Sequence, residues 1–378
     1  MKIVIAPDSF KESLTAMQVA NAIEKGFKTI FPHAEYCKVP MADGGEGTVQ
    51  AMIDATNGKK VTLKVSGPLG EPVEAFYGIL ADNKTAVIEM AAASGLHHVP
   101  RSKRNPLTTS SYGTGELIKD ALNRGMKHII IGLGGSATND AGAGMLTALG
   151  IKLLNAQGQP IPSGGAGLSE LVQVDMSQCA PKLAQCKIDV ACDVDNPLCG
   201  PLGASAIFGP QKGATTEMIN ELDNALNHFA QVSSSLFPSK QFHTVKGSGA
   251  AGGMGFGLLT YLNATLTPGI TLVTQTVGLA KHCQDADLVI TGEGRIDGQT
   301  IFGKTPMGVL QVAQQYNVPT IGIAGSLGDN ANAILTKGMQ AIFAIIPGVA
   351  PLEVVLEEAE TNLINTSQNI AATLNMSL

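Results

Sequence analysis

A chain of 378 residues with 44% hydrophobic and 15% charged content is core-forming and longer than one small domain needs, which excludes a disordered chain. Its net charge of −6, with no basic stripe, argues against nucleic acid or an anionic membrane as the main partner. Six cysteines without a C-x-x-C pair argue against a zinc or disulfide framework and fit reduced thiols in a cytoplasmic protein.

The opening MKIVIAPDSF breaks its apolar run at Pro7 and Asp8, so it reads as neither a secretory leader nor a membrane span. Residues 2–6 (KIVIA) form a short buried-type strand, and 15–27 carry helical periodicity. A second strand over 35–40 precedes a helix over 46–55. The alternating stretch 59–80, with Gly67-Pro68 and Gly70 at its middle, predicts an antiparallel hairpin. Strands follow at 87–89 and 128–131. Near the end the strand–helix beat returns: strands at 287–291, 319–325 and 341–348, with helices near 307–316 and 330–337 and a long one from Leu352.

This order predicts an α/β fold of two domains. Residues 1–58 and 284–378 would build a discontinuous, Rossmann-like parallel-sheet domain. Residues 59–283 would form an inserted α/β domain with a mixed sheet.

Ligands of parallel α/β sheets sit at the carboxyl ends of strands, so the turns there carry the chemical candidates. Each mixes glycine with acids and often a base. APDSFKES holds Asp8 and Lys11, and MADGGEGT holds Asp43 and Glu46. GLGGSATND holds Gly134, Gly135, Ser136, Thr138 and Asn139, and ACDVDNPLCGP holds Asp193 and Asp195. FGPQKGA holds Lys212, and TGEGRIDGQTIFGK holds Glu293, Arg295, Asp297 and Lys304.

Consecutive glycines at 134–135 followed by a helix suit a phosphate, while a ligand-free corner capped by serine or asparagine uses the same letters. GLGGSA also fits a dinucleotide fingerprint, but the next strand, IKLL, ends at Asn155 where an acid should hold the ribose. Residues 298–305, GQTIFGKT, fit a P-loop by letter, yet six residues separate them from the strand end and Pro306 follows directly. Asp193, just beyond a buried-type strand, suits a fixed base or metal ligand, whereas Asp195 before Asn-Pro suits a turn. Asp8 and Asp43 suit either a site or an Asx turn. Arg295 can grip a carboxylate bidentately, and Lys11, Lys212 and Lys304 can meet phosphate or carboxylate as point charges. The small-residue run GAAGGMG reads as a helix packed closely on a neighbour.

Taken in order, APDSFKESLTA, MADGGEGT, GGSATNDAGAGML, ACDVDNPLCGP, FGPQKGA, GAAGGMG and VITGEGRIDGQT resemble the type I glycerate kinases from the first strand to near the C-terminus. One position departs: Ala141 stands where the family pattern leads one to expect glycine. The resemblance implies ATP-dependent phosphorylation of D-glycerate with Mg²⁺, to 2-phosphoglycerate, in a cleft between two domains. On that reading the expected roles follow. Asp193 orients or deprotonates the hydroxyl, and Lys212 and Arg295 complete the catalytic set. Gly134, Gly135, Ser136, Thr138, Asn139 and Lys304 hold ATP. Asp8, Lys11, Asp43 and Arg295 bind glycerate, and Asp193 with Asp297 meets Mg²⁺. The expected partners are small molecules, with a homodimer as the candidate assembly. A P-loop NTPase, a small-molecule kinase acting on another hydroxy acid and a non-catalytic sugar-acid-binding protein remain the alternatives.

Overall fold

The computed structural model describes residues 1–239 and 241–376. Its fifteen strands run β1 (Lys2–Pro7), β2 (Glu35–Lys38), β3 (Lys59–Ser66), β4 (Pro72–Ile79), β5 (Thr85–Glu89), β6 (His128–Gly132), β7 (Lys152–Leu154) and β8 (Gln173–Asp175). They continue as β9 (Lys187–Ala191), β10 (Thr265–Thr267), β11 (Leu288–Gly292), β12 (Arg295–Ile296), β13 (Thr320–Ala324), β14 (Ser326–Leu327) and β15 (Ala341–Ala344).

The described chain divides into two compact units. One comprises 1–43, 50–58 and 268–378. It holds a five-stranded sheet of order β15-β13-β11-β1-β2, all parallel. Its middle strands are apolar on both faces, as helices on either side require. The helix Ala16–Lys28 is started by a capping box. Thr15 Oγ1 accepts from the Gln18 amide, and Gln18 Oε1 accepts from the Thr15 amide. That helix buries Val19, Ile23 and Phe27 against Ile3, Ile5, Ile290, Ile323 and Leu363.

The other unit comprises 44–49 and 59–267, with a sheet of order β10-β9-β6-β5-β4-β3. Strands β10, β9, β6 and β5 are parallel, and the β3–β4 hairpin adds two antiparallel strands. Ile88, Ile129, Ile131, Val190 and Met254 fill its core beside a Phe229–Phe256–Tyr261 cluster.

Two segments lie elsewhere than the sequence pattern suggests. Residues 268–283 join the terminal unit, because the helix Gly269–Thr276 lays Ile270 against Gly308 of the helix Thr305–Gln314. Cys37 Sγ also lies 3.0 Å from His282 Nδ1. Residues 44–49 join the other unit, since Glu89 at the end of β5 accepts from the Val49 amide at 2.9 Å. Smaller differences are local. Ala331–Lys337 is a 3₁₀ helix, and the C-terminal helix is two, Leu352–Glu357 and Ala359–Leu374. No helix of the described residues is long and apolar enough to cross a membrane.

Candidate active site

In the unit holding 59–267, β6 runs straight into the glycine corner. The corner is pinned from one side: the Leu96 amide donates to Gly135 O at 2.8 Å and the Ala137 amide to Ser94 O at 2.9 Å. Gly134 and Gly135 are exposed, and Gly135 takes a left-handed φ of 74° that a side chain would resist. Ser136, Thr138, Asn139 and Asp140 then turn inward and are buried.

Lys212 is the decisive side chain. It sits in a short 3₁₀ turn, Pro210–Lys212, with only 1% of its surface exposed. Its Nζ donates to Ser136 Oγ at 2.8 Å and to Thr138 O at 2.7 Å. An ammonium has three protons to donate, and these contacts use two. Burial drives the lysine pKa down to about 7, and the Asp140 carboxylate acts in the opposite direction. In the same corner Thr138 Oγ1 and Asn139 Oδ1 are buried without a hydrogen-bond partner, while Asn139 Nδ2 donates to Ser205 Oγ at 2.9 Å. A buried amine beside bare glycine backbone is a source of attraction for an anion, and the orphaned Thr138 hydroxyl has a proton left to donate.

The positive end of a following helix does not supply that attraction. The helix Ala143–Ala148 has only six residues, and the Asp140 carboxylate already accepts from the Gly142 and Gly144 amides at 3.1 and 3.2 Å. Lys212 carries the charge instead. The small-residue run packs against this corner from behind: Ala251, Gly252 and Gly253 all have positive φ, and a Cβ on Gly252 would stand 2.0 Å from Thr138 O.

Asp193 shares the edge. Ala191 is in register with Gly132, so Asp193 and Gly134 each lie two residues beyond a paired position of adjacent parallel strands. Asp193 is exposed. Asp195 is exposed as well and pairs with Lys246 at 2.7 Å. Strand β7, the one that would need a ribose-binding acid, lies with β8 in a separate antiparallel ribbon, with one further bridge from Leu154 to Pro160, so the dinucleotide pattern is a coincidence of letters.

In the terminal unit, Asp8, Asp43 and Glu293 follow β1, β2 and β11, three adjacent strands. Asp8 accepts from Thr305 Oγ1 at 2.6 Å, and Glu293 from Thr300 Oγ1 at 2.6 Å. Burial lifts Asp8 to about 6, with the Thr305 hydrogen bond opposing and the Asp43 charge adding. Burial lifts Glu293 to about 7, against the Thr300 hydrogen bond and the Lys304 charge. Sequence reasoning names Glu293 as part of its turn but gives it no role, because desolvation is invisible in letters. Lys11 is exposed, and the backbone of its turn lies against Gly294.

Arg295 and Lys304 both face Asp297, at 3.6 and 3.9 Å. Asp297 Oδ1 also accepts from the Gln299 amide at 2.9 Å. A carboxylate so engaged by two cations is a poor cation ligand. Among the described residues no three acidic, histidine or cysteine side chains are grouped to hold a metal. The donor set of the described residues therefore does not fit a protein-built Mg²⁺ cage. The P-loop geometry is also absent: β12 intervenes after β11, and the Thr305 hydroxyl is spent on Asp8.

Comparison with known proteins agrees with this chemistry. The sequence profile of the glycerate kinase family matches residues 3–375. The chain belongs to the glycerate kinase family. It is 56% identical over 376 residues to a glycerate kinase of Bacillus subtilis (strain 168), covering 100% of this chain and 98% of the relative. It is 56% identical over 378 residues to a glycerate 2-kinase of Escherichia coli (strain K12), covering 99% and 98%. A crystal structure described as a glycerate kinase 2 from Salmonella typhimurium LT2 superposes with a TM-score of 0.92 at 54% identity, covering 99% of this chain and 98% of the other. As a member of the glycerate kinase family the chain is an ATP-dependent phosphotransferase acting on an alcohol group.

Proposed function

We propose that this enzyme transfers the γ-phosphoryl group of ATP to the 2-hydroxyl of D-glycerate in the cytoplasm. The observation that carries the reading is Lys212, a buried amine held on Ser136 and Thr138 beside exposed glycine backbone. Phosphoryl transfer asks the protein mainly for positioning and charge compensation, and this corner offers both. The 2-position is supported by the glycerate 2-kinase relative.

In this reading the ATP phosphates lie along 134–139. Lys212 donates its third hydrogen bond to a phosphate oxygen as charge builds on the transferred group. Asp193 orients or deprotonates the attacking hydroxyl. Lys11 and Arg295 meet the glycerate carboxylate, and Asp8 and Asp43 accept from its hydroxyls. Lys304 contributes charge to the nucleotide. Mg²⁺ would accompany the nucleotide as its own complex, the mode usual where a protein builds no cage.

A second reading of the base is favoured by the raised pKa values of Asp8 and Glu293, since a base working near neutrality is best tuned there. Activity profiles of Asp193→Asn and Glu293→Gln separate the two. The overall assignment is tested by ADP release with D-glycerate, L-glycerate and other hydroxy acids, with NMR of the product. Absence of ADP release with D-glycerate, or a 3-phosphate product, would overturn it.

A further inference from the structure

Asp140 lies beneath the phosphate corner, fully buried. Its carboxylate accepts four hydrogen bonds: from the Ser111 amide at 2.9 Å, Ser111 Oγ at 2.8 Å, the Gly142 amide at 3.1 Å and the Gly144 amide at 3.2 Å. Ser111 Oγ in turn accepts from the Met145 amide at 3.0 Å. Four donors satisfy the carboxylate oxygens and fix the side chain in place. Such a fixed charge serves two purposes. It ties the chain after Asn139 to the start of the helix Tyr112–Asn123, so the Ser136–Asn139 segment cannot drift. It is also the charge that acts on Lys212. Arg104, also near that turn, donates to Gln211 O at 3.1 Å and has its own stem against Gly213.

We propose that Asp140 is a positioning residue for phosphoryl transfer, holding the Ser136–Asn139 segment, on which Lys212 is hydrogen-bonded, in shape and setting a buried acidic side chain behind that corner. The inference rests on the reading of Lys212 as the phosphate-facing cation. An uncharged residue at 140 would leave the amine desolvated with no compensating field. Its proton would be lost at lower pH, and the corner would hold a neutral amine where an anion must bind.

The test is Asp140→Asn, which keeps the side-chain size, removes the charge and leaves one backbone donor without its acceptor, beside Ser111→Ala, which removes one donor and keeps the charge. Lysine carrying ¹³C is incorporated biosynthetically and Lys212 is titrated through its Cε signal by NMR without ligand, using Lys212→Arg to assign it. The alkaline limb of kcat/KM for ATP is measured in parallel. Asp140→Asn is expected to lower the Lys212 pKa and move the alkaline limb the same way, with a loss of activity at least ~10-fold greater at pH 8 than at pH 6.5. Ser111→Ala is expected to leave the limb in place. An unshifted Lys212 signal, or equal loss at every pH, overturns the proposal and leaves Asp140 a structural residue. A shifted signal with an unshifted limb instead places the failure in the reading of Lys212, because the titration requires no catalysis.

Discussion

Lys212 Nζ donates to Ser136 Oγ at 2.8 Å from a site with 1% of the lysine exposed. A lysine rarely gives up its hydration for one hydroxyl and one carbonyl, so the contact is expensive in the free protein. Replacing it with methionine, of similar length and no charge, should raise stability and remove activity. The sign follows from the lowered pKa: between about 7 and 10.5 the unfolded chain binds a proton that the folded chain does not. Stability from this group therefore rises with pH across that window, and below pH 7 the group costs on the order of 5 kcal/mol. Lys212→Met should unfold at higher denaturant at pH 7, show a flatter stability–pH curve above 7, and lose about 10²–10³ in kcat. A variant less stable at pH 7, or one retaining turnover, contradicts the account.

Asp8 carries the opposite protonation but the same kind of strain. Its folded pKa, about 6, lies above the ordinary value of 3.8, so the folded protein binds the extra proton between those pH values. Stability from this group is full below 3.8 and falls as pH rises through 6. Asp8→Asn should thus gain about 3 kcal/mol at pH 7, keep a hydrogen bond from Thr305, and bind glycerate more weakly. Chemical denaturation at pH 4 and pH 7 checks it: the gain should appear only at the higher pH.

The pH dependence of catalysis combines these groups. A base drawn from Asp8 or Glu293 is competent only above about 6 to 7, while Lys212 in the free enzyme is charged only below about 7. A narrow bell in kcat/KM centred near neutrality is expected, with the alkaline limb missing in Lys212→Arg. A profile that stays flat from pH 6 to 9 contradicts both assignments.

How much of this was legible in the letters depends on what each feature rests on. Apolar runs such as LVITG and TIGIA place β11 and β13 to within a residue, because burial on both faces leaves no alternative composition. The β3–β4 hairpin follows from alternation and its Gly-Pro turn. The glycine corner too announces itself. What the letters lack is environment. Lysine is expected at the surface, so nothing in GPQKG signals that Lys212 is swallowed whole. Glu293 and Asp140 look like turn acids until desolvation and four donors are seen. The P-loop match misleads for the converse reason: β12 interposes a strand that two residues are too short to advertise.

Gly252 tests the mechanical side of the corner. It has φ +68°, and an added Cβ would stand 2.0 Å from Thr138 O and 2.6 Å from the Asn139 Cα, both on rigid backbone. Gly252→Ala should cost about 2–4 kcal/mol and push the Ser136–Asn139 segment out of line. Where the protein still folds, KM for ATP should rise together with the loss of kcat. Unchanged stability with normal kinetics would mean that the segment is free to move.

Lys304 separates the remaining rival from the corner. It faces Asp297 at 3.9 Å and is one-third exposed, with its neighbour Thr305 bonded to Asp8. A P-loop lysine replaced by alanine loses nucleotide binding, because it is the charge on the β- and γ-phosphates. Here Lys304→Ala should leave ADP affinity within about threefold, whereas Ser136→Ala or Lys212→Met should weaken it by tenfold or more, a difference of ~1.4 kcal/mol in binding. Titration calorimetry with ADP and Mg²⁺ reads all three. A reversed order, with Lys304 dominant and Ser136 silent, would move the phosphates away from the glycine corner and take the assignment of Lys212 with them.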